Sequence, residues 1–187
     1  MKFLSAMKEL IITLVLAILI AMVLKYFIVD SCKILSESMA TTLNTGDRIL
    51  VFKLAYKFEE PERGDIIIFQ PPEEMDEGTD FIKRIIGLPG ETVEVVANDG
   101  VYINGVYLEE SYIKEIPTYD FGPVTVPENC YIVLGDNRNR SADSHYWSYP
   151  YITFEDIDGK AILRYFPFTD FSLFKTMDYA NEDFISQ

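Results

Sequence analysis

The sequence predicts a mostly β protein, an antiparallel β domain preceded by one N-terminal transmembrane α-helix. Three observations predict it: an uncharged run near the N-terminus, a series of short apolar runs of strand length after Gly46-Asp47, and turn-forming residues between those runs. The helix comes first. From Leu10 to Leu24, "LIITLVLAILIAMVL", no residue is charged and only Thr13 is polar; carried through to Val29, the run has 20 residues. At about 1.5 Å per residue this matches the roughly 30 Å hydrocarbon core of a bilayer. Lys25, near the end, can extend its ammonium to the interface. Lys2 and Lys8 would suit the basic start of a cleavable signal peptide. No small-x-small cleavage site follows promptly, however, and Tyr26-Phe27-Ile28-Val29 prolongs the apolar run, which favours a retained anchor. The chain therefore divides into a short N-terminal segment, 1–9, a transmembrane helix, 10–29, and a β domain, 30–187. Lysines flank the span on both sides, so counting them barely orients it.

The strands follow in order. "RILVFKL" (Arg48 to Leu54), "DIIIFQ" (Asp65 to Gln70), "FIKRIIGL" (Phe81 to Leu88), "TVEVVA" (Thr92 to Ala97), "GVYINGVYL" (Gly100 to Leu108) and "CYIVLGD" (Cys130 to Asp136) are apolar or alternating runs of strand length. Arg63-Gly64-Asp65, Leu88-Pro89-Gly90, Asn98-Asp99-Gly100 and Asn104-Gly105 separate them; the last two suit tight hairpins, because Asn and Gly tolerate positive φ. Gln70 to Asp80, "QPPEEMDEGTD", is an acidic, proline-bearing loop. Thr153 to Lys160 suggests a helical turn, and the tail from Phe168 onward has no clear pattern.

Composition excludes several function classes. The chain holds 30 Asp and Glu against 16 Lys and Arg, a formal charge of -14, which repels phosphate backbones and argues against nucleic acid as a partner. One histidine, His145, and two distant cysteines, Cys32 and Cys130, supply too few ligands for a structural zinc site. No metal or cofactor is expected. The two cysteines are expected as free, buried thiols.

A Ser-His-Asp triad would have to run through His145. A lysine can replace histidine as base where burial disfavours its charged form and brings its pKa towards neutrality. Lys83 suits this best: on a strand, Phe81 and Ile85 share its face, and Arg84 next to it adds a positive charge that would lower the pKa further. The matching hydroxyls lie in "KILSESMATTLNTGDRIL", Lys33 to Leu50, where Ser36 and Ser38 stand one residue apart just beyond the helix. The plainer readings are a surface lysine on an amphipathic strand and serines that cap a helix. A third region, "GDNRNRSADSHYW" (Gly135 to Trp147), is a dense polar loop after an apolar strand. It is either a functional loop on a rigid scaffold or an Asx-rich turn network.

Together these blocks resemble the bacterial type I signal peptidases, membrane-anchored serine proteases with a Ser-Lys dyad and a β core like that of the LexA-type proteases. Ser36-Glu37-Ser38-Met39 with Thr42-Leu43 and Gly46-Asp47 resembles the nucleophile block, Arg63-Gly64-Asp65-Ile66 the next, Lys83 to Gly90 the general-base block, and Gly135-Asp136-Asn137-Arg138 with Ser141, Asp143 and Ser144 the last. The resemblance runs from the anchor to Arg164-Tyr165-Phe166-Pro167. It implies Ser38 as nucleophile, Lys83 as general base, and Ser36 as a hydroxyl donor to the oxyanion beside the Ser38 N–H. It also implies that Ser141 hydrogen-bonds and orients the Lys83 amine and that Asp143 holds the loop. Exported preproteins, cut after a small-x-small motif such as Ala-x-Ala, are the implied substrates, and Ile34, Met39, Leu43 and Ile82 are the implied pocket walls. The implied setting is the cell membrane: a single-pass monomer, anchored in the bilayer, with residues 1–9 cytoplasmic and the catalytic domain outside.

The chain departs from the family pattern Pro-Ser-Gly-Ser-Met-x-Pro-Thr-Leu at Leu35, Glu37 and Thr41. Glu37 would raise the Lys83 pKa if its carboxylate faced the amine; otherwise it points to solvent. His145 stands where arginine is common as the partner of Asp143. Other readings are a self-cleaving protease similar to the LexA-type repressors, disfavoured by the anchor, and a sortase, disfavoured by Gly46 where that family needs cysteine. A membrane-tethered β module without catalysis would serve binding or assembly.

Overall fold

The computed structural model describes residues 2–75, 78–175 and 179. Helix α1, Lys2–Phe27, contains a 22-residue stretch, Ala6–Phe27, long and apolar enough to cross a membrane. A helix apolar on every side is either a core helix or a membrane span. Here none of that stretch is buried within the chain, which removes the first alternative. The chain then turns directly into strand β1, Val29–Lys33.

Eleven more strands follow: β2 (Arg48–Phe52), β3 (Ile66–Phe69), β4 (Phe81–Gly87), β5 (Thr92–Val96), β6 (Gly100–Ile103), β7 (Val106–Tyr107), β8 (Phe121–Thr125), β9 (Cys130–Leu134), β10 (Ile152–Thr153), β11 (Ile157–Phe166) and β12 (Ser172–Leu173). They form an antiparallel sheet of order β1-β2-β11-β3-β4-β9-β10, with β12 on β11, and a smaller sheet of order β7-β6-β5-β8. The strand-like runs of the sequence all appear. "GVYINGVYL" folds as the hairpin β6-β7, its turn made by Asn104 and Gly105 at φ 51° and 80°.

Three elements differ from expectation. Within Thr153 to Lys160, only Phe154–Asp156 is a turn of 3-10 helix, capped reciprocally by Thr153 and Asp156; β11 starts at Ile157 and is central to the large sheet. Its polar side chains disguise it as non-strand, and they are absorbed by ion pairs, Lys160 with Asp65 at 2.7 Å and Arg164 with Asp47 at 2.9 Å. "VDSCK" carries no strand signature and becomes β1 by pairing with β2, Val29 opposite Phe52 and Lys33 opposite Arg48. "FGPVT" becomes β8 at the edge of the small sheet, where proline is tolerated because its missing N–H faces no ladder. In the tail, β12 follows a 3-10 turn at Phe168–Asp170. Residues 176–178 and 180–187 of that tail lie outside the described ones.

Three apolar clusters hold the domain. One contains Val93, Val101, Ile103 and Ile132 and joins the small sheet to the large one. A second packs Ile34, Met39, Leu43, Ile49 and Ile66. A third packs Ile67, Phe69, Ile85, Val133 and Trp147. Cys32 and Cys130 are free thiols; Cys130 is buried, whereas Cys32, on the edge strand β1, is only half-buried, contrary to expectation.

The segment between β7 and β8 is tied to the polar loop by a buried ion pair. Glu110 receives both Arg138 Nη1 and Nη2, and the Arg138 Nε donates to the Gly135 carbonyl at 3.1 Å. Arg138 has no exposed surface, so removing its partner leaves an uncompensated buried charge. Glu110→Ala is expected to destabilise the full chain by about 3–5 kcal/mol. Glu110→Leu combined with Arg138→Met should recover most of that loss. Thermal and denaturant unfolding in detergent checks both, and a Glu110→Ala chain as stable as the parent would show that the pair contributes nothing.

Candidate active site

The two serines lie on the 34–47 loop between β1 and β2. Its two ends meet: the Ile34 N–H donates to the Asp47 carbonyl and the Gly46 N–H to the Ile34 carbonyl, each at 2.9 Å. The Asp47 carboxylate receives the Asn44 N–H and Arg164 Nη1, both at 2.9 Å. Met39 and Leu43 are fully buried and anchor the loop in the second apolar cluster. Apolar residues at these spacings fix the backbone and leave Ser36 and Ser38 with their Oγ atoms 3.1 Å apart.

Lys83 enters from β4, where it pairs opposite Ile67. Its residue surface is only 4% exposed, and its Nζ donates to Ser38 Oγ at 3.0 Å and to the Ile82 carbonyl at 3.1 Å. Burial lowers its pKa to about 8 from the ordinary 10.5, against the opposing pull of the Asp143 and Asp136 carboxylates. The Phe81 ring, 5.0 Å from Nζ, also favours the charged form. Desolvation wins.

The loop after β9 supplies the rest, and each residue of the Gly135 to Arg138 run does a separate task. Gly135 lets two groups come close: a Cβ there would stand 2.3 Å from Ser141 Oγ and 2.5 Å from the Ser38 carbonyl oxygen. Asp136 receives Arg84 Nη2 at 2.7 Å and Arg84 Nε at 2.9 Å, and also accepts from Thr42 Oγ1 of the serine loop. Asn137 donates its N–H to the Ser38 carbonyl and its Nδ2 to the Glu37 carbonyl, both at 3.0 Å. Asp143 accepts the Gly135 N–H at 2.8 Å, while its other oxygen lies 2.7 Å from His145 Nδ1. A carboxylate only accepts, so that nitrogen carries the proton. The imidazole is stacked on Tyr119 with ring centroids 3.8 Å apart.

The sequence-derived site residues therefore fall into groups. Ser36, Ser38 and Lys83 meet directly, and Asp143 braces the loop beside them. Ser141 does not hydrogen-bond Lys83 as expected: its Oγ is buried without a partner, packed against Gly135, while the amine is engaged by Ser38 and Ile82. Ile34 and Ile82 line a cleft of about 550 Å³ that also exposes Ser36, Ser38 and Lys83. Met39 and Leu43 do not line it, because the loop uses them as buried anchors. Arg84 does not lower the Lys83 pKa; Asp136 neutralises it, and the Asp136 carboxylate pulls the other way. Glu37 turns to solvent beside Arg140, 3.7 Å away. The sequence reading gave Arg84 no partner, and Asp136, Thr42 and Asn137 no role. The one available signal was an arginine in the middle of one largely apolar run, Phe81 to Leu88, and an aspartate at the end of another, Cys130 to Asp136.

A buried serine–lysine contact at a largely apolar cleft, on an antiparallel β domain behind an apolar helix, points to a class: a serine endopeptidase. The family described as "Signal peptidase, peptidase S26" matches residues 7–166, and the chain belongs to it. It is 45% identical over 168 residues to signal peptidase I of Leptolyngbya laminosa, covering 87% of this chain and 81% of that one. It is 46% identical over 166 residues to a probable signal peptidase I-1 of a Synechocystis species, covering 86% and 83%. Among solved structures, a signal peptidase I from Enterococcus faecalis is 41% identical, with 55% of this chain and 97% of that one covered and a TM-score of 0.46. The function is thus removal of signal peptides from exported preproteins, and the repressor-like, sortase and non-catalytic readings fall away.

Gly135→Ala tests the close approach. Its Cβ must displace Ser141 or the Ser38 backbone, and a shift of about 1 Å at a reacting group costs on the order of a hundredfold in rate. The expected outcome is a folded chain with preprotein cleavage reduced about a hundredfold or more, read from kcat/KM. Near-parental cleavage would show that the loop relaxes without moving Ser38.

Proposed function

We propose that Ser38 is the nucleophile and Lys83 the general base that serves both halves of the reaction. The observation that carries this reading is the 3.0 Å contact between Lys83 Nζ and Ser38 Oγ, with the amine buried and its pKa lowered to about 8. The neutral amine takes the Ser38 hydroxyl proton as Oγ attacks the carbonyl carbon of the scissile bond. The negative charge formed on the carbonyl oxygen is met by the Ser36 hydroxyl and the Ser38 N–H, fixed donors that need no reorganisation. As the C–N bond breaks, the Lys83 ammonium gives its proton to the departing amine of the mature protein and an ester to Ser38 remains. Water then attacks the ester, passing one proton to Lys83, which returns it to Ser38 Oγ as the ester bond breaks; the signal peptide leaves as a carboxylic acid and gives its remaining proton to solvent. Ser141 and Asp143 act through the loop: one packs against Gly135, the other accepts its N–H.

The small-x-small preference has a steric basis in the same cleft. Ile34 and Ile82 wall the approach to Ser38, leaving shallow apolar space suited to alanine-sized side chains. Met39 and Leu43 act on that space only indirectly, by anchoring the loop that carries Ser36 and Ser38. Placement follows from chain reach: Ser38 lies 11 residues after the end of α1 at Phe27 (38 − 27), and β1 occupies five of them. The site is thereby held near the membrane surface. With 1–9 cytoplasmic, the helix spanning, and the β domain outside, it stands where a translocated signal peptide presents its cleavage site.

Two outcomes test the dyad. Ser38→Ala and Lys83→Met are each expected to abolish cleavage of a preprotein with an Ala-x-Ala site, and full processing by folded Lys83→Met would remove Lys83 from the chemistry. For the parent, kcat/KM is expected to rise with pH through about 8, as the amine loses its proton.

The same substitution has a stability signature. The unfolded chain holds the Lys83 proton up to about 10.5 and the folded chain only up to about 8, so between these values the unfolded state binds more protons and stability rises with pH. The cost of the buried charge is complete below about pH 8. Lys83→Met should therefore stabilise the chain there by up to about 3 kcal/mol, and the gain should vanish above about pH 10.5. Denaturant unfolding at several pH values reads it, and a destabilised Lys83→Met chain at pH 7 would contradict the desolvation account.

A further inference from the structure

The loop wall of the cleft carries a charge that the chemistry of acyl transfer does not use. Arg140 lines the cleft, yet its side chain is 71% exposed, and its only ion-pair partner among the described residues is Glu37 at 3.7 Å, itself 65% exposed. An exposed pair this long is weak and easily exchanged. Its two backbones, in contrast, are firmly placed. Asn137 donates to the Glu37 and Ser38 carbonyls and accepts the Arg140 N–H at 2.9 Å, so one residue sets Arg140 against the nucleophile. On either side, Arg138 is pinned by Glu110, and Asn139 receives the Thr118 N–H at 2.8 Å and donates to the Ile116 carbonyl at 3.0 Å. An exposed guanidinium thus projects from a fixed backbone and stands 3.7 Å from Glu37, the residue before Ser38.

The cleft has two kinds of wall. Ile68 and Ile82 from the sheet, with Ile34 where the serine loop leaves β1, suit the small residues before the scissile bond; Arg140 and Ala142 come from the loop after β9. The residues that follow the bond belong to the mature protein and must leave past Ser38 by the other wall. We infer that Arg140 is a specificity residue for the start of the mature protein, exchanging Glu37 for an acidic side chain at the first or second position after the cut and disfavouring a basic one. Arginine suits this because its planar fork stays charged at every working pH and meets a carboxylate through two donors. Glu37 then acts as a competitor that occupies the guanidinium when no acidic substrate is present.

This inference rests on Ser38 as the nucleophile, and one experiment separates the two. Full-length enzyme in detergent is given peptides with a common Ala-x-Ala site followed by Glu, Ala or Lys, and kcat/KM is compared within each variant, so any general change of rate cancels. The parent is expected to favour Glu over Lys by about fivefold or more at low salt, the scale of an exposed ion pair, with the ratio shrinking near 1 M salt. Arg140→Gln should bring the ratio close to one and Arg140→Glu should invert it. Glu37→Gln should raise it, which tests the idea independently should the Arg140 variants fail to fold. A parental ratio near one, a ratio unmoved by Arg140→Gln, or a ratio unchanged or lowered by Glu37→Gln overturns the inference. Continued cleavage by Ser38→Ala would instead overturn the nucleophile assignment.

Discussion

Everything at this site depends on taking one lysine amine out of water. A solvated lysine at neutral pH is an ammonium and cannot accept a proton, so Lys83 is useful as a base only to the extent that its surroundings penalise charge. The structure supplies that penalty by placing Lys83 in β4, between β3 and β9, and closing the serine loop over it. Two buried carboxylates nearby would undo the effect if left free, since each favours the ammonium. Neither is free. Asp136 is claimed by the Arg84 guanidinium and the Thr42 hydroxyl, and Asp143 by the Gly135 N–H and the His145 ring. Arg84 offsets part of the Asp136 charge, which still raises the Lys83 pKa, and its own charge is offset in return.

The same groups also hold the parts together. The serine loop, β4 and the loop after β9 come from distant parts of the sequence, and no local interaction sets their mutual positions. Asp136 touches the first through Thr42 and the second through Arg84, while Asn137 fixes the Ser38 and Glu37 carbonyls. Buried polar groups of this kind cost desolvation, and a fully paired network restores it while specifying one arrangement. Apolar contacts alone would tolerate sliding of the loop by a fraction of an ångström; directional bonds to backbone carbonyls do not. The small sheet joins this arrangement through Glu110 and Arg138, so it braces the active loop without touching the cleft itself.

How much of this was legible in the sequence depends on whether the signal was local. The apolar helix, the runs of β2 to β6 and the Asn104-Gly105 turn were readable because period, length and turn chemistry are local properties. Strand β11 was not: its lysine and arginine look like solvent residues until Asp65 and Asp47 arrive from elsewhere. β1 was invisible for a related reason, since an edge strand borrows its structure from its neighbour. At the site, residue type and neighbourhood marked Lys83 and the pair Ser36 and Ser38 as candidates, and the family resemblance chose Ser38 between the two. The expected hydrogen bond from Ser141 to the amine did not appear, because contact between side chains on different loops is decided by backbone placement, here the approach at Gly135. Met39 and Leu43 were read as walls because they flank the nucleophile in sequence; a tight loop must bury something, and it buries those two.

The departures from the family pattern lie on two shells of the same electrostatic problem. Glu37 adds a negative charge beside the nucleophile, but because Ser36 and Ser38 turn their hydroxyls toward one another, the residue between them is directed outward, where solvent and Arg140 screen it. His145 sits deeper. Its Nδ1–H donates to an Asp143 oxygen, and the charge of the Asp143 carboxylate still pulls the Lys83 pKa upward. A permanently charged guanidinium in that place would cancel it. With that pull still present, desolvation does the work, and the closure of the serine loop over Lys83 sets how far the amine's pKa falls. Geometry and proton affinity are then the same variable: whatever loosens the contact between Ser38 and Lys83 also rehydrates the amine and returns it to the ammonium form.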